Sequence, residues 1–288
     1  MKQEGLNSWE EFKECLEEIQ EETQQLNANP NKTTVTEVLY RGQSNHEWHL
    51  RSSLERIHRN ITLYEYFTIL KNIQSKVEEI SEKSWPTFAN INNCQLLNIY
   101  NFSIELPEDT LGYMSFVRQH GFPSPLLDWT SCPYIAAYFA FGGIYTNTER
   151  VAIYFFRGRT GVALDCKDDL EPAMNYFGPD IANTSPRHAK QKTRYTICTK
   201  KSKKEKSLKN YIIANMEEDI NIPGSSTSDN CIEDIPEAGN VVRNYTIPVT
   251  EKKKVLKELE SKGINRESLF PDGTPDNILI DLWNKYGM

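Results

Sequence analysis

The segment from His120 to Ala140, HGFPSPLLDWTSCPYIAAYFA, holds the densest group of chemically useful side chains in the sequence. Its first six residues contain a glycine and two prolines, which deny the backbone helical continuity, so it begins as a loop. A polar group, Asp128 to Ser131, follows, and Thr130 or Ser131 can N-cap an apolar helix whose first turn tolerates Pro133. The N-terminus of such a helix offers free N–H groups and a positive dipole, which suit an anionic or carbonyl ligand. The alternative is that Asp128 and Thr130 only cap a helix of the core.

A second candidate is an arginine that follows a predicted strand. Residues 33–40, TTVTEVLY, alternate and are rich in β-branched side chains, which predicts a strand that runs straight into Arg41-Gly42-Gln43. Arg41 is then expected at the C-terminal end of the strand, with the chain turning at Gly42. A guanidinium group can hold a phosphate or a ribose in a forked geometry that lysine cannot copy. The alternative is that Arg41 forms a buried structural ion pair with Asp128.

Periodic patterns of apolar residues predict the helices and strands that must position these residues. Apolar residues at helical spacing predict helices over about 8–24, 61–83, 110–118 and 250–261, the last ended by Gly263. Alternating patterns predict further strands over 149–157, around Tyr195 and Ile197, and over 241–249, whereas 163–187 is rich in loop residues. One compact α+β domain over residues 1–288 fits this order better than two. It carries a helical insertion at about 61–109 and a flexible insertion of basic and acidic residues at about 200–240.

Composition narrows the classes of function. The chain has 38% hydrophobic and 25% charged residues, as ordinary soluble proteins do, and its net charge of −7 argues against a surface that coats nucleic acid. A local basic run, Lys200–Lys206, can either contact nucleic acid or form a solvated surface. The sequence shows no bilayer-spanning apolar run and no signal peptide, so we expect a cytoplasmic protein without a membrane partner. Six scattered cysteines and five histidines predict neither a disulfide framework nor a metal site.

Several motifs taken together resemble the FRG domain, a family named for a Phe/Tyr-Arg-Gly motif. The matching stretches are YRGQ (40–43), LRSSLER (50–56), HGFPSPLLDWT (120–130), the spaced pair Arg187 and Gln191, and Leu269-Phe270-Pro271. The resemblance extends from about residue 9 to about residue 282, apart from the two insertions. It implies a bacterial or phage protein of a kind often encoded beside defence or toxin genes.

The motif order of this family is also similar to that of ADP-ribosyltransferases. The likeness implies a single α+β domain with a central mixed or antiparallel split β-sheet flanked by helices. Arg41 would be the first element of that pattern, Thr130–Ser131 the second and Gln191 the third. The protein would bind NAD as a substrate and transfer ADP-ribose to RNA, DNA or protein, as a toxin or anti-phage effector with an antitoxin or chaperone partner.

This chemistry defines a set of candidate site residues. Cleavage of the nicotinamide–ribose bond passes through an oxocarbenium-like state, which a nearby anion stabilises. The candidate catalytic residues are Arg41, Asp128, Thr130 and Gln191, and the candidate NAD-binding residues are Arg41, Gly42, Gln43, His120, Trp129 and Ser131. Trp129 either stacks on the nicotinamide or anchors the core.

The third element departs from the transferase pattern, which has a carboxylate where this chain has Gln191. An amide can hydrogen-bond a ribose hydroxyl but cannot supply negative charge. Either Asp128 supplies that charge, or the fold binds a nucleotide without turning it over. The alternative function is therefore a non-catalytic module that binds a nucleotide, a nucleic acid or another protein.

Overall fold

The computed structural model describes residues 2–28, 36–58, 60–85, 108–143, 148–159, 173–177, 186–201, 211–213, 241–271 and 279–287. Of the two predicted insertions, residues 86–107 of the helical one and residues 202–210 and 214–240 of the basic and acidic one lie outside the described residues, as does most of the loop-rich stretch 163–187. Within that loop-rich stretch, residues 173–177 form a strand.

The described strands form one mixed sheet. They are β1 (Lys2–Gly5), β2 (Thr36–Gln43), β3 (Leu127–Thr130), β4 (Arg150–Arg159), β5 (Ala173–Phe177), β6 (Thr193–Lys201), β7 (Tyr211–Ile213) and β8 (Val241–Pro248). Their order is β1-β8-β4-β2-β3-β6-β5, and β7 also pairs with β6. The β1–β8 pair is parallel and the other pairs are antiparallel, which confirms the predicted α+β class with a mixed sheet.

The described helices confirm the four that periodicity predicts and add shorter ones. They are α1 (Trp9–Asn27), α2 (Leu63–Ser81), α3 (Glu108–Gln119), α4 (Pro133–Gly142), α5 (Pro186–Lys190), α6 (Lys252–Ser261), α7 (Arg266–Leu269) and α8 (Ile280–Tyr286). Ser8 caps α1 by accepting a hydrogen bond from the Glu11 N–H, and Thr62 and Glu65 form a capping box on α2. None of the described helices combines the length and apolar character that a bilayer crossing requires.

The sheet narrows to a single residue pair between β2 and β3. Strand β2 pairs with β4 from Thr36 to Gln43, but it pairs with β3 only where Tyr40 faces Thr130. We call β1, β8, β4 and β2 the β2 half, and β3, β6, β5 and β7 the β6 half. The two halves therefore separate beyond this pair, and the interior of the sheet is accessible there.

Two hydrophobic clusters cover the two halves on the same face. One packs α1, α4 and α6 on the β2 half and includes Tyr40, and the other packs α2, α3 and α8 on the β6 half and includes Tyr195. Paired residues and alternate residues share a face, and the register links Tyr40 to Thr130 and Asp128 to Tyr195. A third cluster, with Leu39 and buried aromatic side chains, lies on the opposite face.

Gly42 lies inside strand β2, so the turn expected at this glycine is wrong. It pairs with Ile153 of β4, and a Cβ at this position would stand 1.9 Å from the Ala136 carbonyl oxygen and 2.6 Å from the Ala140 nitrogen. Helix α4 therefore packs directly on the β2 backbone. Glycine is required because of this close approach.

Helix α4 begins one residue later than the expected caps, so the prediction that Thr130 or Ser131 N-caps it is also wrong. Its N-cap is Cys132, which makes no side-chain capping bond, and Pro133 opens the helix. The Thr130 hydroxyl instead accepts a hydrogen bond from the Cys132 N–H at 3.1 Å. Thr130 ends strand β3 and orients the short link into the helix.

Candidate functional site

A cavity of about 440 Å³ lies where the two halves of the sheet separate. Its walls come from β2, β3, the loop after α3, helix α4, the α5–β6 connection and the segment after α7. Its volume lies in the range of small-molecule sites, about 300–1,000 Å³. The described lining residues that carry charge are Arg41, Arg118, Arg187 and Asp128.

Arg41 occupies the position where the β2–β3 ladder stops. Its Nη1 donates to the backbone carbonyl of Asp128 at 2.6 Å and lies 3.9 Å from the carboxylate Oδ2. Its Nε is buried and forms no hydrogen bond with the described residues. Burial lowers the pKa of Arg41 to about 10, although Asp128 opposes this shift, so the side chain is a cation at neutral pH.

Arg118, the second cation, binds the same carboxylate through two nitrogens. Its Nε donates to Oδ1 of Asp128 at 2.5 Å, and its Nη2 donates to Oδ2. Its Nη1 donates to the Ser53 hydroxyl at 2.9 Å, and that hydroxyl also accepts the Ser124 N–H at 3.0 Å. The motif LRSSLER therefore supplies a residue that holds Arg118 in position.

The electrostatic balance keeps Asp128 ionised. Burial raises the pKa of its carboxyl, but the charge and hydrogen bonds of Arg118, together with Arg41, outweigh this and lower the pKa below its ordinary value. Burial likewise lowers the pKa of Arg118, and Asp128 more than compensates, so that pKa is raised. The cavity thus carries a carboxylate and guanidinium groups, with a surplus of positive charge among its described residues.

Part of the cavity lining is aromatic. Phe139 of α4 and Phe270, which follows α7, meet edge to face with ring centres 6.2 Å apart. The guanidinium carbon of the buried Arg187 lies 5.8 Å from the centre of the Phe270 ring. Gln191 Nε2 donates to the Leu269 carbonyl at 3.0 Å, which ties the α5–β6 connection to the segment that carries Phe270.

The structure brings all four predicted catalytic residues to this cavity. Arg41, Asp128, Thr130 and Gln191 all line it, and so does Gly42. The Arg41–Asp128 ion pair, which the sequence allowed as an alternative to a ligand contact, is present.

Four of the predicted NAD-binding residues have other surroundings. Gln43, His120 and Ser131 are not among the lining residues. The His120 ring packs on Phe116, with ring centres 4.3 Å apart. Trp129 borders the cavity, but its indole is buried on Phe156 in the third cluster.

The polar groups of two of these residues have the following partners. The Trp129 indole N–H donates to the Thr196 hydroxyl at 2.8 Å, as expected of a core anchor. Ser131 donates its backbone N–H to the Lys192 carbonyl at 3.2 Å. Gln43 is buried on β2, with both side-chain amide atoms unpartnered among the described residues.

Sequence reasoning missed Arg118, Ser53 and the aromatic wall of Phe139 and Phe270. Arg118 is the only charged residue between Leu111 and Gln119, in the last turn of a helix whose other charged residues stand in its first turn. A lone charge at that position needs a partner and could have been matched to Asp128. No comparable pattern pointed to the two phenylalanines, which are 131 positions apart.

The lining chemistry suits an anion. Guanidinium forks bind phosphate and carboxylate oxygens in pairs, and arginine is not a metal ligand. Within the described ranges, no three histidine, cysteine, aspartate or glutamate side chains stand close enough to hold a metal ion.

The fold and the site define an α+β domain with one mixed sheet and an arginine-lined cavity at its junction. Residues 36–149 match the family model of the FRG domain, so the chain carries an FRG domain. This range contains Arg41, Arg118 and Asp128, whereas Arg187, Gln191 and Phe270 follow it in the chain. Neither curated proteins nor solved structures give a significant match.

Proposed function

We propose that this FRG-domain protein binds NAD in the arginine-lined cavity and transfers its ADP-ribose group to a macromolecule. The observation that carries the proposal is the pairing of Arg41 and Arg118 with a single carboxylate, Asp128, in a cavity whose described lining holds a third arginine, Arg187. This arrangement offers positive charge for a pyrophosphate and one anion for a developing cation. The acceptor is RNA, DNA or protein, and the family resemblance adds a toxin or anti-phage role with an antitoxin or chaperone partner.

Arg41 is the residue best suited to receive the pyrophosphate. Its Nε is a buried donor without a partner among the described residues, and leaving such a donor unsatisfied costs about 1–3 kcal/mol. A phosphate oxygen would satisfy it and restore the hydrogen bond. Arg187 lines the same cavity beside Phe270, where it would reach the second phosphate or the ribose.

Asp128 would stabilise the transition state. As the bond between nicotinamide and C1′ of the ribose breaks, its electron pair leaves with nicotinamide and positive charge develops on the ribose. Asp128, held ionised by its two arginines, supplies negative charge close to that carbon. A nucleophilic oxygen or nitrogen of the acceptor then bonds to C1′ and loses its proton to solvent water.

A second candidate, a module that binds a nucleotide without turnover, is favoured by two contacts. The Gln191 amide donates a hydrogen bond to the Leu269 carbonyl, and Arg118 binds both carboxylate oxygens of Asp128. An anion already neutralised by a forked arginine stabilises a nearby cation less. Binding and turnover must therefore be measured separately.

The test is calorimetric titration with NAD beside an assay for released nicotinamide. The variants are Arg41→Lys, which keeps the charge but loses the fork, and Asp128→Asn, with the exposed Lys76→Ala as control. The proposal expects binding and slow release in wild type, weaker binding in Arg41→Lys, and binding without release in Asp128→Asn. Mass spectrometry of RNA, DNA and protein incubated with the enzyme and NAD identifies the acceptor.

The outcomes separate the two candidates. Binding in wild type without release and without a modified acceptor supports the non-catalytic module and rejects the transferase. The absence of both NAD binding and release rejects both candidates. Release that Asp128→Asn leaves unchanged rejects the role given to that carboxylate.

A further inference from the structure

We infer that Phe139 and Phe270 form the subsite for the heteroaromatic ring of the nucleotide, and that Gln191 is a positioning residue that holds Phe270 in place. This rests on the proposed function, because it assumes that the cavity takes a nucleotide. It divides the ligand between two parts of the cavity, phosphate at Arg41 and ring at the phenylalanines. It also gives Gln191 a role other than that of a third catalytic element.

The aromatic pair presents partly exposed apolar surface to the cavity. Both rings line it and both are only partly buried, unlike the aromatic residues of the three clusters. Their edge-to-face contact, with an interplanar angle of 87°, fixes the angle between the two walls. A planar base can stack against a fixed aromatic wall whatever its hydrogen-bonding pattern, because every base has a π-face.

Gln191 holds that wall through the backbone. Its side-chain amide donates to the Leu269 carbonyl, one residue before Phe270, and Arg187 lies over the Phe270 ring. Helix α7 is itself closed by a capping box between Asn265 and Ser268. The segment with Phe270 is therefore attached to the fold through Gln191 and Arg187.

The position of Gln191 explains why an amide stands where the transferase pattern has a carboxylate. A carboxylate has no proton to donate, and at this position it would face the Leu269 carbonyl oxygen. Gln191→Met removes the hydrogen bond with little change in side-chain volume and no change in charge. It would then release the segment with Phe270, with no direct loss at the arginines.

The experiment titrates the full chain with ADP, which carries a ring, and with inorganic pyrophosphate, which does not. We expect Phe270→Leu and Gln191→Met, which loses the amide without adding a charge, each to weaken ADP binding by about 5- to 150-fold and to leave pyrophosphate binding unchanged. Phe116→Leu, a partly buried phenylalanine outside the cavity lining, is the matched control and should change neither affinity. Urea unfolding of each variant shows that it is folded.

Three outcomes would overturn the inference. Unchanged ADP affinity in Phe270→Leu removes the ring subsite. Equal losses for ADP and pyrophosphate mean that the segment supports the whole cavity and not a ring. Faster nicotinamide release in Gln191→Glu, which restores the carboxylate of the transferase pattern, with intact ADP affinity makes position 191 a catalytic one. If wild type binds neither ADP nor pyrophosphate, the proposed function itself is rejected. This result is distinct from the three outcomes above.

Discussion

At the scale of single residues, Asp128 is the group on which the charges of the site depend. Arg118 binds both of its carboxylate oxygens, and Arg41 binds its backbone carbonyl. Its side chain is still 38% exposed, so solvent screens part of the attraction. The carboxylate therefore has two roles, because it stabilises the fold and is also partly exposed to the cavity.

The pairing of Asp128 with these arginines predicts a pH-dependent contribution to the free energy of unfolding. The pKa of Asp128 is lowered in the folded state from its ordinary value of 3.8, so the unfolded chain binds its proton more readily. The stabilisation is then fully present above about pH 4 and is lost as the pH falls through the lowered folded pKa. At pH 7, Asp128→Asn should reduce the free energy of unfolding by about 1–2 kcal/mol, after discounting for exposure.

Urea unfolding of wild type and Asp128→Asn from pH 7 to pH 3 measures this contribution. The difference between the two proteins should be constant down to about pH 4 and shrink below it. Asp281→Asn removes an exposed carboxylate of α8 and corrects for general charge effects. A difference that persists undiminished at pH 3 would show that the ion pair does not stabilise the fold.

The sequence predicted part of this site from local patterns. Arg41 and Asp128 both follow from motif context, and their ion pair was one of two stated alternatives. Arg118 was missed because its role depends on the loop that returns the chain from α3 to β3, which a helical pattern does not describe. Phe270 entered only as part of the motif Leu269-Phe270-Pro271, without a role in the site, since the element that it meets, α4, lies far back in the chain.

At the scale of elements, the contact between α4 and β2 fixes one wall of the cavity. The missing side chain at Gly42 lets the helix approach the strand until Ala136 and Ala140 touch its backbone. The same approach places Phe139 of α4 in the cavity lining with Arg41. Small residues on both elements are therefore a condition for the site.

Gly42→Ala should destabilise the fold by about 3 kcal/mol, because overpacking of a tight contact typically costs about 1–3 kcal/mol and here the neighbours are backbone atoms. Its matched control is Gly5→Ala in β1, where a Cβ would meet only side-chain atoms at 3.8 Å. Thermal unfolding compares the two variants. Similar melting temperatures for both would mean that α4 can shift freely and that the close approach is not required.

Elements with a long periodic pattern were predicted well. Short elements, and those that depend on pairing with distant parts of the chain, were not. Helix α2 and strand β4 repeat their pattern over 19 and 10 residues, so local sequence is sufficient. Strand β3 has four residues, and the sequence analysis placed its Asp128–Thr130 in a loop and cap. Its strand character comes from pairing with β6, whose residues lie more than 60 positions later.

At the scale of the whole molecule, the two halves of the sheet have separate cores and a narrow connection. Each half packs its own helices, and the strands join at Tyr40 and Thr130 alone. The cavity takes walls from both sides, with Arg41 and Phe139 from the β2 half and Arg187 from the β6 half. A ligand in the cavity would therefore link two units that the backbone connects weakly.

Ligand binding should slow amide hydrogen exchange in both halves together. A ligand at 100 times its Kd that binds only the folded state adds about 2.7 kcal/mol, or about 100-fold slower exchange for amides that open by global unfolding. With ADP, we expect this slowing in both β2 and β6, followed by exchange mass spectrometry. In Arg41→Lys at the same ADP concentration, the slowing of exchange should decrease equally in both strands. Weaker binding adds less free energy to global unfolding, which both strands share. Protection confined to β6 would show that the ligand contacts one half only, and the junction would then not be the site that the three arginines define.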